Sequence, residues 1–507
     1  RRRTPPHSSG SGSGSSVQMV WRLVAPGRST SCGTPDTFLS MGDAPRTDTD
    51  SGPETASATD VPAADPRATG APAADPSTAA GATGPPVATA EPGATPQSRT
   101  TIVAIIVYVF LMGAGMGLQG SAVSLRAGIE GFSDSLVGLI MSSNYVGLII
   151  GSLIAPVIIR NVGYVRSFAA SASLGSASAI AHLIWIDLVP WLVFRAATGL
   201  SLSVMFVVAE SWLNSSSTSS NRGRLLSIYS VVYIVSMGAG QPLMGLFPPS
   251  SFEIFGITTI LLSFCLMPVA IMRVTGDPSV DREPPHLVRT FMKSPLAGSG
   301  VIVAGIMAGA TWSMTPLYGQ QVGMNSGAIG VLMLIVSLGS MTLQLPLGWL
   351  SDKKGRRRAI LWSVGIAAFM AGLIALLRPS GGLLYVLVFL YGGFGMPLYS
   401  LSLTLANDQF EPREMVQAAG AIVIYYGIGS VTGPVIAGQF MRWAGPGGLF
   451  LSMALVMALL LAFVLVRMTF SPALPKRQSR YRLYPRTTVS AFQLLRKVRA
   501  RRRPPPS

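Results

Sequence analysis

From residue 101 to residue 468 the chain repeats one pattern, a run of about twenty apolar residues followed by a short polar break. A run of that length crosses the hydrocarbon of a bilayer as a single α-helix. Twelve runs are read, at 101–125, 135–158, 167–187, 190–213, 225–247, 253–272, 298–319, 327–350, 359–377, 382–406, 414–440 and 447–467. Several are rich in Ala, Ser and Gly, small residues that let helices approach closely in lipid. The pattern predicts an all-α membrane protein, a bundle of twelve transmembrane helices in two six-helix halves.

The polar breaks differ in charge, and the difference predicts orientation. With both termini inside, the inner breaks hold Arg160, Arg166, Arg222, Arg224, Arg273, Arg282, Arg289, Lys293, Lys353, Lys354, Arg356, Arg357, Arg358 and Arg413. The outer breaks hold only Arg126, Arg378 and Arg442. That bias places both termini in the cytoplasm and requires an even number of spans. The longest inner break divides the chain into a first half at 101–273, a cytoplasmic linker at 274–296 and a second half at 297–468.

The halves carry a faint repeat. At an offset of 192 residues, Gly113, Gly117, Gly131, Gly138, Gly147 and Gly163 fall on Gly305, Gly309, Gly323, Gly330, Gly339 and Gly355, and Pro242 falls on Pro434. About two or three glycine pairs would coincide by chance in such a composition, so the match points to duplicated, pseudo-symmetric halves. Two parallel repeats around a site at mid-membrane is a known transporter plan.

Composition confirms the class. Only 12% of residues are charged, against about a quarter in a soluble domain. The net charge of +17 lies in the short breaks and in a basic tail at 469–507, which implies contact with anionic lipid rather than nucleic acid. Within that tail, Val489 to Val498 reads as a short amphipathic helix on the inner leaflet or as a solvated segment. Residues 1–98 are rich in Ser, Thr, Ala, Pro and Gly, without apolar periodicity, and are expected to be disordered. Met41 is a candidate translation start, and no signal-peptide pattern is evident. Cys32 and Cys265 predict no disulfide or metal framework.

The strongest motif is Gly348-Trp349-Leu350-Ser351-Asp352-Lys353-Lys354-Gly355-Arg356-Arg357-Arg358, between the eighth and ninth spans. It resembles the G-x-L-x-D-R-x-G-R-R loop of the major facilitator superfamily, with Lys353 where arginine is usual. The resemblance covers about 101–468 and implies the major facilitator fold. It also implies that Gly348, Asp352, Gly355, Arg356 and Arg357 form a cytoplasmic gate. A basic loop that only sets topology is the alternative. The equivalent break in the first half keeps Gly163 but has Arg160 where an aspartate is expected.

Arg195-Ala-Ala-Thr-Gly199 in the fourth span resembles the R-x-x-x-G motif of that superfamily. The stretch Ala209-Glu210-Ser211-Trp212-Leu213-Asn214, with Asn221-Arg222-Gly223-Arg224 after it, resembles a bacterial branch of the superfamily called YcaD-like. So do Leu125-Arg126 and Glu130-Gly131-Phe132-Ser133.

An arginine inside a span is costly and marks a substrate or proton site, or snorkels to the interface. Glu210 is either a proton carrier or the partner of Arg222 or Arg224. Gly429, Gly433, Pro434 and Gly438 in the eleventh span resemble the glycine–proline motif that antiporters of the superfamily carry in their fifth span. Displaced here, the motif gives drug–proton antiport little support and reads as helix packing.

The fold implies a cavity lined by spans 1, 4, 7 and 10, with Gln119, Arg195, Trp312, Tyr318, Gln320, Tyr391 and Tyr399 as candidates. Aromatic faces with amides suit a sugar-like or other polar organic solute, although Tyr318 and Tyr399 also fit interfacial anchoring. No phosphate-binding loop and no cluster of catalytic or metal-ligating residues is present, so no cofactor and no enzyme activity is expected. The expected function is secondary active transport of a small organic solute, linked to protons, in a bacterial plasma membrane. Efflux of amphipathic drugs and a non-transporting sensor on the same fold are the alternatives.

Overall fold

A computed structural model describes residues 99–215, 222–271, 286–411 and 414–470. Their regular structure is helical: α1 (Arg99–Ile129), α2 (Asp134–Val162), α3 (Tyr164–Ile184), α4 (Leu188–Ser215), α5 (Arg222–Ala239), α6 (Glu253–Phe264), α7 (Leu266–Ile271), α8 (Leu287–Lys293), α9 (Pro295–Gln321), α10 (Ser326–Lys354), α11 (Arg356–Leu377), α12 (Gly381–Gly395), α13 (Leu398–Gln409), α14 (Met415–Ala444) and α15 (Gly448–Phe470). Among the described residues, eleven helical segments are long and apolar enough to cross a membrane, and Glu253–Val269 forms a shorter apolar segment. Together they make the twelve crossings.

Two crossings are broken, each beside a proline. The sixth is interrupted at Cys265, so that Pro268 falls in the first turn of α7, where its missing N–H costs nothing. The tenth breaks between α12 and α13 at Met396 and Pro397 for the same reason. The fifth ends in a 3-10 turn, Gln241–Gly245, opened by Pro242.

The duplication at 192 residues is visible in three dimensions. Gly131 and Gly323 both have φ of +81°, and Gly163 and Gly355 have +85° and +92°. These four turns need glycine, because a side chain is strained there. The remaining pairs are close approaches. Gly147 lies on the backbone of Ala196 in α4, as Gly339 lies on Phe389 in α12. Gly113 and Gly117 of α1 press on α5 at Ser236 and Met237, as Gly305 and Gly309 of α9 press on α14 at Tyr426 and Ser430. The last pair crosses between halves: Gly138 of α2 meets Pro434 of α14, and Gly330 of α10 meets Gln241 and Pro242.

Burial is inverted relative to a soluble protein. Leu376, Leu459 and Phe470 are exposed, whereas Gln119, Arg195, Glu210 and Arg356 are buried. One end of the bundle, the basic end, carries the turns at Gly163 and Gly355 and, among the described residues, Arg160, Arg166, Arg356, Arg357 and Arg358 beside them. There α8 docks by Phe291 against Gly298 and Tyr425, and Lys293 pairs with Glu414. The hydrogen bond from Lys293 holds the Glu414 carboxyl below its ordinary value.

Candidate functional site

Helix α2 packs on α4 through glycines from both sides. Gly147 and Gly151 of α2 meet the backbones of Ala196 and Leu200, and Gly199 of α4 meets the backbone of Asn144. In the second half, Gly429 and Gly433 bring α14 against Ile302 and Ile306 of α9 in the same way. Between the two tight pairs lies a cavity of about 150 Å³. Its first-half wall includes Asn144, Tyr145, Arg195, Ser203, Tyr233 and Gln241; its second-half wall includes Trp312, Ser313, Tyr426 and Ser430. The rest of the wall is mainly apolar, with Met116, Leu148, Phe206 and Ile424 among it.

Arg195 is the only charged residue among the described residues that line the cavity. It is 4% exposed, its Nε finds no hydrogen-bond acceptor, and none of the ion pairs among the described residues includes it. It sits in the second turn of α4, within electrostatic reach of Tyr145 and of the buried His182. His182 is held by the Ser178 carbonyl at 2.6 Å and by edge contacts with Trp191 and Phe194.

Of the residues expected to line the cavity, the structure brings Arg195 and Trp312 together there. Gln119 is buried between α1 and α4 and donates to the Thr198 hydroxyl at 3.3 Å. Tyr391 lies behind α9, with its hydroxyl 2.8 Å from that of Thr311 and its ring edge-on to Phe450. Tyr318 also stacks on Phe450, and Tyr399 packs on Tyr426. Spans 1, 4 and 7 line the cavity as expected, but span 10 does not; α2, α5 and α14 take part instead. The reason is packing: α12 is engaged by α10 and α11, and α13 by α9 and α11, which puts the tenth crossing in a second layer. Asn144 inside an apolar run is the available signal for α2.

Glu210 is fully buried near the basic end of α4, one turn beyond Phe206 and Val207 of the cavity wall but not among the lining residues, in a cluster with Tyr108 and Cys265. The side chains of Arg222 and Arg224, its candidate partners, lie outside the described residues.

At the basic end, the motif between α10 and α11 is organised around Arg356, which is wholly buried. Its Nε donates to Asp408 at 3.0 Å, and its Nη1 donates to Asp352 at 2.5 Å and to the Ser351 hydroxyl at 2.9 Å. Gly355 makes the left-handed turn between the helices, and Gly348 is buried in α10. Asp408 is a buried carboxylate that the sequence reading did not single out: it lies in the final turn of the tenth crossing with its side chain 3% exposed. In the first half Arg160 is exposed.

The opposite end is shut by contacts between the halves. Ser135 donates to Gln439 at 2.8 Å, Gln321 donates to Asp134 at 2.6 Å, and Ser142 donates to the Val431 carbonyl at 2.5 Å. Gly438 rests on Asp134 beside the contact of Gly138 with Pro434. A side chain at Gly138 has no room, so Gly138→Val is expected to part α2 from α14 at this end. With Cys32 and Cys265 replaced by serine, thiol labelling of a cysteine at Ser142 should rise severalfold in that variant. Unchanged labelling would show that the seam tolerates the methyls.

The sequence pattern of the major facilitator superfamily matches residues 105–296 and 297–503. The YcaD protein of Shigella flexneri, described as an MFS-type transporter, is 26% identical over 366 residues, covering 72% of this chain and 95% of its own length. Among solved structures, the nucleoside transporter NupG superimposes with a TM-score of 0.59 at 12% identity, over 73% of this chain and 100% of its own. A D-xylose–proton symporter gives 0.57 at 15% identity, over 72% and 96% respectively.

Proposed function

The chain belongs to the major facilitator superfamily, and we propose on that premise that it moves a small organic solute across a bacterial plasma membrane by alternating access. It is a multi-pass membrane transporter and not an enzyme. The observation that carries the proposal is the cavity between the halves, bounded by α2 and α4 on one side and α9 and α14 on the other, with a seam shut at one end. Rocking one half on the other about that site would close the basic end and open the seam. Structural neighbours that carry a nucleoside and D-xylose support a small organic cargo.

The arginine bias puts the basic end and both termini in the cytoplasm. Proton linkage rests on Glu210, a buried carboxylate on the helix that carries Arg195. The two lie fifteen residues, or about 22 Å of helix, apart, so a proton at Glu210 would act through movement of α4 rather than by contact. The gate proposal rests on the motif at the basic end. Arg356 anchors it within the second half, and Asp352, 35% exposed, is the member placed to engage the first half when that end closes.

Two measurements test these readings. Solute counterflow in sealed proteoliposomes should show saturable exchange, and its absence for every class of metabolite would favour the sensor alternative. Asp352→Asn is expected to slow that exchange about tenfold or more without loss of membrane insertion, since it weakens one charge-assisted contact of the cycle. Exchange at the normal rate in the inserted variant would remove the gate assignment.

A further inference from the structure

We infer that the solute is a small organic anion, a carboxylate or similar oxyanion on a compact apolar body, whose charge docks on Arg195. The inference rests on the transport reading above and names the cargo of that same cavity.

A guanidinium carries its charge at any accessible pH. Buried charges in proteins are ordinarily paired, because leaving them alone in low dielectric is costly. Arg195 breaks that rule: it is 4% exposed, its Nε has no acceptor, and no described carboxylate pairs with it. The contrast with Arg356 is instructive. That arginine is equally buried, and two aspartates and a hydroxyl meet it. One buried arginine is therefore saturated by the protein, and the other faces a cavity.

The cavity supplies what an anion needs and lacks what would repel it. No Asp or Glu is among the described residues that line it, and the one charge those residues bring is that of Arg195. Asn144 and Tyr145 stand beside Arg195 on α2, at a height set by the glycine contacts between α2 and α4. A planar fork of N–H donors suits the two oxygens of a carboxylate. The opposite wall, with Trp312 and Tyr426, is aromatic and offers a face to an apolar body. A cavity of about 150 Å³ has the size that admits a benzene-sized group. The same charge disfavours lipophilic cations.

Matched probes test this with the purified full-length protein. Benzoate, benzamide and benzylamine share one body and differ in charge, as do butyrate, butyramide and butylamine. The expected result is a rise in melting temperature with the carboxylates, at concentrations at least tenfold below any effect of their amides, and none with the amines. Arg195→Gln should abolish the carboxylate shift, and Arg195→Lys should retain part of it. The wild-type comparison needs no variant, so a folding defect in either one leaves it standing. Equal stabilisation by amide and carboxylate, stabilisation by the amines, or none by any probe overturns the inference. Counterflow separates it from the transport reading. Carboxylate binding without exchange upholds the anion site and removes transport. Exchange of neutral solutes that survives in Arg195→Gln keeps transport and removes the anion site.

Discussion

Asp408→Ala is expected to cost the protein about 3–5 kcal/mol of stability. Arg356 is wholly enclosed, and its Nε is satisfied by Asp408 at 3.0 Å, itself only 3% exposed. Removing the carboxylate strands a desolvated guanidinium, which costs far more than the pair contributes when intact. Asp352 and Ser351 still hold Nη1, so the loss should fall toward the lower end of that range. Replacing both partners, as in Arg356→Met with Asp408→Leu, removes the charge and its partner together and should recover most of the stability. Melting of the purified protein checks this. If Asp408→Ala and the double variant melt alike, the buried pair is not what holds α10, α11 and α13 together. Exchange activity then adds a second comparison, since the stable double variant should still lack the charge that orients Asp352.

The contrast between Asp408 and Asp352 shows what local sequence can carry. Asp352 and Arg356 are four residues apart on either side of a glycine turn, so their pairing is written in one short motif. Asp408 is 52 residues from Arg356 and looks like any polar helix end; only the packing of α13 brings it in. The same division runs through the fold. Hydrophobic runs mark the crossings because bilayer thickness sets a length, and the 192-residue glycine repeat marks the halves because close helix contacts recur at equivalent places. The cavity is less legible. Arg195 and Trp312 stand out in sequence, the arginine because an intramembrane charge is conspicuous. Gln119 and Tyr391 look equally functional there, yet one is taken up by Thr198 and the other is directed at Thr311. Which polar residue faces the cavity depends on helix rotation between halves, and short-range pattern does not encode that.

Gly199→Val is expected to abolish exchange while Gly372→Ala leaves it unchanged, although both glycines lie inside apolar helices. A Cβ at Gly199 would run into the carbonyl oxygen of Asn144, and the atoms it meets are backbone, which cannot swing aside. A Cβ at Gly372 meets nothing within 4 Å. Overfilling a tight contact typically costs about 1–3 kcal/mol, and a β-branched residue against a carbonyl belongs at the top of that range. The functional loss should be larger than the stability loss. The α2–α4 crossing is what sets Asn144 and Tyr145 beside Arg195, and a displacement of about 1 Å in a positioned site is enough to cost a hundredfold. Gly147 makes the reciprocal contact with Ala196, so Gly147→Val should mimic the defect from the other helix. Gly372→Ala should melt at the wild-type temperature or slightly above, since alanine favours the helix by up to about 1 kcal/mol. Counterflow and melting of the variants together decide the matter. Near-normal exchange in Gly199→Val would mean that the α2–α4 crossing does not position the cavity. Lost exchange with a preserved melting temperature would place the defect in the site and not in the fold.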